Sequence, residues 1–237
     1  MLSLAEHSAA FAEEIQGTLD SVLPGDRTII SRRFEDTDRY LVAHNGETAR
    51  ERRMPLYVGG EHLADLGLAL YLDLDRTGRY LKTVQSEVSV HSVLDRTPLV
   101  RYEYRADMHT DPIAHWQVHA ERGAMSHLLG RAHATNPAQV KKPHDMSSLH
   151  FPVGGERFRP CLEDVLQFLV VDCGVDSQQG WLDAVCDGRE RWRRRQIGSA
   201  VRDVPAEAAR ILTELGWTVT PPENPRVRDH PETLRKW

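Results

Sequence analysis

Residues able to move protons and to hold negative charge are grouped in one stretch: Arg101, Glu103, His115 and His119, with His150 beyond them. Cleaving a phosphodiester without a metal needs a base to remove a proton, an acid to protonate the leaving oxygen, and a cation beside the developing charge. Glu103 and the histidines can fill the acid and base roles, and Arg101 supplies the cation. The candidate catalytic set is therefore Arg101, Glu103, His115, His119 and His150, acting on RNA or another phosphate-bearing ligand. The competing reading is the wet face of a half-buried sheet, where cross-strand Arg–Glu pairs are ordinary.

The His115-x-x-x-His119 spacing also raises zinc, because on a helix the two imidazoles would share a face. In a strand the same four-residue step separates the Cα atoms by about 13 Å, too far for one ion. Trp116 also stands where the helical motif has its glutamate. No metal and no other cofactor is expected. Neither Gly59-Gly60 nor Gly154-Gly155 has the spacing and lysine of a phosphate-binding loop, and no Gly-x-Ser-x-Gly elbow occurs.

A second cluster, Arg189, Arg191, Arg193, Arg194 and Arg195 around Trp192, has the composition of a surface for nucleic acid or for an acidic protein partner. Against that, Asp187 with Arg191 and Glu190 with Arg194 stand at ion-pair spacing on a helix. Trp181, Val185 and Trp192 make a stripe suited to a core.

The elements that must position these groups are legible in the apolar pattern. Leu4, Phe11, Ile15, Leu19 and Val22 predict a helix, and segments 28–34 and 39–43 predict short strands ahead of an Asn45-Gly46 turn. The charged stretch 47–53 reads as a surface loop. Leu68, Leu70, Leu72 and Leu74 alternate with polar positions, a period of two that only a strand produces. A turn at 76–79, a strand over 80–93, and further strands over 99–105 and 113–121 complete the series. The expected fold is α+β: an antiparallel meander of four to six strands packed on one face by helices, with a helical C-terminal part. Met125, Leu128 and Leu129 predict a short helix, and the long loop 134–149 is a candidate lid. A core helix follows Pro160, and another runs from Pro205 to Gly216.

At 237 residues the chain suits one α+β domain over 1–174 with a helical extension over 175–237 on the same core. A hydrophobic fraction of 40% and a charged fraction of 27% are those of a folded protein, and a net charge of -5 gives no global attraction to nucleic acid or anionic membranes. Cys161, Cys173 and Cys186 form no Cys-x-x-Cys pair, so each is expected as a small core residue. Glu6, Glu13 and Glu14 exclude a secretory signal, and no apolar run is long enough for a membrane span, so a cytoplasmic location is expected.

The segment Val100-Arg101-Tyr102-Glu103-Tyr104, then His109 and Pro112, His115-Trp116-Gln117-Val118-His119, His150-Phe151-Pro152-Val153 and the helix from Pro160 resembles a pattern in uncharacterised, actinobacterial-type bacterial proteins. The resemblance covers the middle third, and Thr110-Asp111-Pro112 departs from the usual His-Pro. It implies a setting near toxin–antitoxin or phage-defence genes. Two functions follow as expectations. One is a metal-independent ribonuclease-like or phosphate-binding component of such a module. The other is a non-catalytic interaction module that binds an acidic partner through its arginine-rich helix.

Overall fold

The computed structural model describes residues 2–35, 37–94, 97–108, 111–119, 130, 133–134, 137–138, 141–142, 145, 151–153, 155–220, 222–223, 229–230 and 235. Helix α1 (Leu4–Val22) opens on a capping box: Ser3 N donates to the Glu6 carboxylate at 2.7 Å and Glu6 N donates to Ser3 Oγ at 3.3 Å. These bonds satisfy two amides that the first turn leaves without partners. Ala12, Ile15, Leu19 and Val22 fall on one face and are buried. At the other end the Arg27 guanidinium donates to the carbonyls of Leu23, Pro24 and Gly25, which the last turn cannot use, and adds a second donor to Leu19 O, which already accepts from Leu23 N.

Among the described residues eight strands form one antiparallel sheet: β1 (Ile29–Arg33), β2 (Tyr40–His44), β3 (Arg53–Val58), β4 (Glu61–Leu74), β5 (Leu81–Ser92), β6 (Pro98–Arg105), β7 (Ala114–Val118) and β8 (Phe151–Pro152). Their order is β1-β2-β4-β5-β6-β7-β8, with β3 also on β4. β3 pairs with the first half of β4, from Val58↔Glu61 to Arg53↔Gly67, and β2 with the second half, from Ala43↔Ala69 to Tyr40↔Leu72. The two therefore lie end to end along one edge of β4. The sheet is larger than the expected meander because β3 and the short β8 join it. β3 carries Pro55, which has no amide to donate and is tolerated because β3 has one neighbour among the described residues.

Leu66, Leu68, Leu70 and Leu72 of β4, Val88 and Val90 of β5 and Tyr102 of β6 share one buried face. Against it pack α1, α3 (Leu162–Val171) and α4 (Trp181–Asp203), through Val165, Leu166, Leu169 and Val185. α2 (Gly155–Phe158) precedes this layer and α5 (Pro205–Glu214) follows it. Val185 is fully buried in the same core as α1, so α4 is part of the helical layer. Gly188 makes that approach possible: a Cβ there would lie 2.3 Å from Glu163 Oε1 and 2.9 Å from its Cγ. The architecture is α+β with an antiparallel sheet.

Three expectations change. Only Cys161 is buried; Cys173 and Cys186 are exposed, since each sits on a helix-end or helix face turned from the core. Trp192 is half-buried and faces Arg159 rather than joining the Trp181–Val185 stripe. Arg191 lies 3.9 Å from Glu14 of α1 rather than pairing with Asp187. The helix around Met125, Leu128 and Leu129, His109, His150 and most of loop 134–149 lie outside the described residues. Among the described residues no helix is long and apolar enough to cross a membrane.

Candidate acid–base site

β6 and β7 are extended and paired, with Glu103↔His115 and Arg101↔Gln117 in register. β5 continues both rows on its side, with Glu87↔Glu103 and Ser89↔Arg101. Residues opposite one another in an antiparallel ladder share a face. Glu87, Glu103 and His115 therefore form one row, and Ser89, Arg101 and Gln117 the next, on the side of the sheet away from the helices. His119 N donates to Leu99 O at 3.0 Å, which continues the pairing one step and sets His119 in a third row. Arg101 thus stands between Glu103 and His119. Of the five expected catalytic residues, the structure brings Arg101, Glu103, His115 and His119 onto one face; His150 is outside the described residues.

The Glu103 carboxylate bridges its neighbours, with Oε1 3.2 Å from Arg101 Nη1 and Oε2 3.3 Å from His115 Nε2. His115 Nδ1 donates to Pro112 O at 2.8 Å, which fixes the ring and turns Nε2 toward the carboxylate. Glu87 was not in the expected set, although the hairpin register places it directly beside Glu103. Burial raises its pKa above the ordinary 4.5, and the Glu103 charge raises it further. His119 moves the other way: burial, then the Arg101 cation, lowers its pKa below 6.5, so the imidazole is neutral at pH 7. Its Nε2 is buried with no hydrogen-bond partner among the described residues. One row thus holds a carboxyl inclined to keep its proton, and another a neutral imidazole, with a guanidinium between them.

One expectation about this face is corrected. The His115 side chain is 2% exposed, and Ser89, His91 and Gln117 are buried as well. Alternation reports which positions are polar and says nothing of whether more chain lies over them. At the covered centre Gly67 faces Ser89: a Cβ at Gly67 would fall 2.5 Å from Ser89 Oγ, the atom that contacts His91 Nε2 at 3.2 Å.

The five arginines of the second cluster each have a carboxylate of this chain within 4 Å. Arg189 Nε donates to Asp164 at 2.7 Å, and Arg193 lies 3.9 Å from the same carboxylate. Arg195 makes a bidentate pair with Glu14, at 2.9 and 2.6 Å, and Arg194 pairs with Glu190 at 2.7 Å. The pairs of Arg189 and Arg193 with Asp164 and of Arg191 and Arg195 with Glu14 staple α4 to α3 and α1, whereas Arg194–Glu190 lies within α4.

Among the described residues no group of three or more His, Cys, Asp and Glu side chains is placed to hold a metal ion. The extended backbone of β7 keeps His115 and His119 about 13 Å apart at Cα, so one ion cannot bridge them. No protein-family model, curated protein or solved structure matches the chain.

Proposed function

We propose that the polar face of the sheet performs metal-independent acid–base cleavage of a phosphodiester, with RNA as the substrate class, in the toxin or phage-defence setting that the sequence resemblance implies. The observation that carries this reading is the order across the rows: the Glu87–Glu103 carboxyl pair, Arg101, and the neutral His119. His119 takes the proton of a ribose 2′-hydroxyl, and the oxygen attacks the adjacent phosphorus. Arg101 offsets the charge that gathers on the non-bridging oxygens. The bond to the 5′-oxygen breaks, and Glu87 protonates that leaving oxygen. The products are a 2′,3′-cyclic phosphate and a 5′-hydroxyl.

His115, closed to solvent, is a positioning residue that orients Glu103. Substrate meets this face at Glu87, Arg101 and His119, each of which is half-buried. The arginine-rich helix has no role in it, because its cations already serve internal carboxylates.

The test is incubation with single-stranded RNA in the presence of a chelator, with end-group analysis of the fragments. Cyclic phosphate ends, lost on His119→Ala and on Arg101→Gln with the fold retained, are the expected result. Absence of cleavage by the parent protein, or cleavage undiminished in both variants, overturns the reading.

A further inference from the structure

On the opposite side of the sheet, among the helices, a cleft of about 750 Å³ opens between α1, the β4–β5 turn, Tyr104 of β6, the segment after α2, and α4. That is within the range of sites for small molecules. Three cations at this cleft are already neutralised, Arg194 by Glu190 at 2.7 Å among them. Arg157 pairs with Asp203 at 2.7 Å and with Glu156 at 3.2 Å, and Arg195 pairs with Glu14. Arg159 is different. It is 8% exposed, and no carboxylate of the described residues lies within 4 Å of it. Its partners are the Glu156 carbonyl, to which Nη1 donates, the Tyr104 ring, 3.9 Å from its guanidinium carbon, and the Trp192 ring at 5.6 Å. A carbonyl and two ring faces leave most of a guanidinium's five donors unused, and an uncompensated buried charge is costly.

Three further groups at the cleft complete a recognisable set. Tyr104 is fully buried, and its hydroxyl has no hydrogen-bond partner among the described residues. Burial pushes its pKa up to about 12, so it remains a neutral donor. Gln196 presents a buried Oε1 that likewise lacks a partner there, an acceptor waiting for a donor. Trp192 and Tyr80 add flat apolar surface, and Arg202 already stacks on Tyr80 at 4.0 Å. A cation, a hydroxyl donor, an amide acceptor and aromatic faces fit a ligand with an anionic group, a polar edge and a ring.

We propose that this cleft is a binding site for a nucleoside monophosphate, with the phosphate on Arg159 and the Tyr104 hydroxyl, the base against Trp192, and a ring or sugar donor to Gln196 Oε1. The site is independent of the acid–base reading, since no residue is common to the two and the sheet separates them. Phosphate on a buried arginine makes charge-assisted, bidentate hydrogen bonds, and base–aromatic stacking adds to them without demanding one base.

Isothermal titration calorimetry of the full chain tests this with four probes: adenosine monophosphate, cytidine monophosphate, adenosine and inorganic phosphate. Both monophosphates are expected to bind at least tenfold more tightly than adenosine or phosphate alone. Arg159→Gln is expected to lose at least tenfold in affinity for the monophosphates while its weak affinity for adenosine is unchanged. Should Arg159→Gln fail to fold, Tyr104→Phe deletes only an oxygen with no partner, and Gln196→Ala leaves the helix intact. Each is expected to weaken binding several-fold with an unchanged melting temperature. No monophosphate binding at millimolar concentration overturns the proposal, as does phosphate binding as tightly as the nucleotides. Affinity that persists through all three substitutions overturns it equally.

Discussion

Replacing Gly188 by alanine sets two effects of opposite sign against each other on one helix. In an isolated helix the change would stabilise by about 1 kcal/mol, because glycine has the greater backbone freedom to lose. In this structure the new Cβ would sit 2.3, 2.9 and 3.0 Å from Glu163 Oε1, Cγ and Cδ, where ordinary contacts begin near 3.4 Å. Glu163 is itself buried, so relief requires α4 to move away from α3 or a carboxylate to be driven from its place. Overpacking of this kind costs about 1–3 kcal/mol. Steric overlap at three atoms puts Gly188→Ala toward the upper end, for a net loss of about 1–2 kcal/mol after the propensity gain. For a chain of this length that is a fall in melting temperature of about 2–8 °C. Gly17→Ala is the control: in α1, with nothing within 4 Å of its Cβ, it should raise the melting temperature by about 2–4 °C. Differential scanning calorimetry on the two variants and the parent reads both. A Gly188→Ala protein melting at or above the parent would show that α3 and α4 do not meet as closely as described.

The remaining predictions concern charge. Glu87 binds its proton more tightly in the folded state than its ordinary 4.5, so its contribution to stability falls as pH rises from 4.5 through its raised folded value. Glu87→Gln should therefore be more stable than the parent at pH 7, with the gap closing as pH falls to about 4; urea midpoints that diverge on acidification would contradict this. Asp203→Asn removes the 2.7 Å partner of Arg157, and with Glu156 still 3.2 Å away it is expected to cost about 3 kcal/mol, the low end for breaking a buried pair, by urea denaturation. Arg27→Met leaves the carbonyls of Leu23 and Gly25 without the donor it supplies, with Leu19 O keeping only Leu23 N, and should lower stability by about 2 kcal/mol, with hydrogen exchange accelerated in the last turn of α1.

What the sequence disclosed follows from which forces are local. The alternating leucines at 68–74, the stripe at Ile15, Leu19 and Val22, and the strands carrying Arg101, Glu103 and His115 are set by periodicity within a few residues, and each forms. β3 was hidden because Pro55 interrupts its pattern and because the charged stretch before it reads as loop. Glu87 was recoverable in principle: once the turn at 76–79 is placed, the hairpin register carries it toward Glu103. The covering of His115 was not recoverable, since polarity and exposure are separate properties. Nor was the meeting of Tyr104, Arg159 and Trp192, which depends on how three elements distant in the chain stack on one another. The arginine cluster was visible, yet its partners, Glu14 and Asp164, are fixed by helix packing that no local pattern encodes.

Glu14 and Arg195, joined across 181 residues of chain, also set a schedule for synthesis. At about 5–20 residues per second a ribosome finishes α4 roughly ten to forty seconds after α1 has been made. Throughout that interval the early helix can lie on the growing sheet, yet the wall that closes the helix-side hollow does not exist. Any nucleotide recognition there begins only after the translating ribosome has delivered the late helix, however long the leading strands have already been paired.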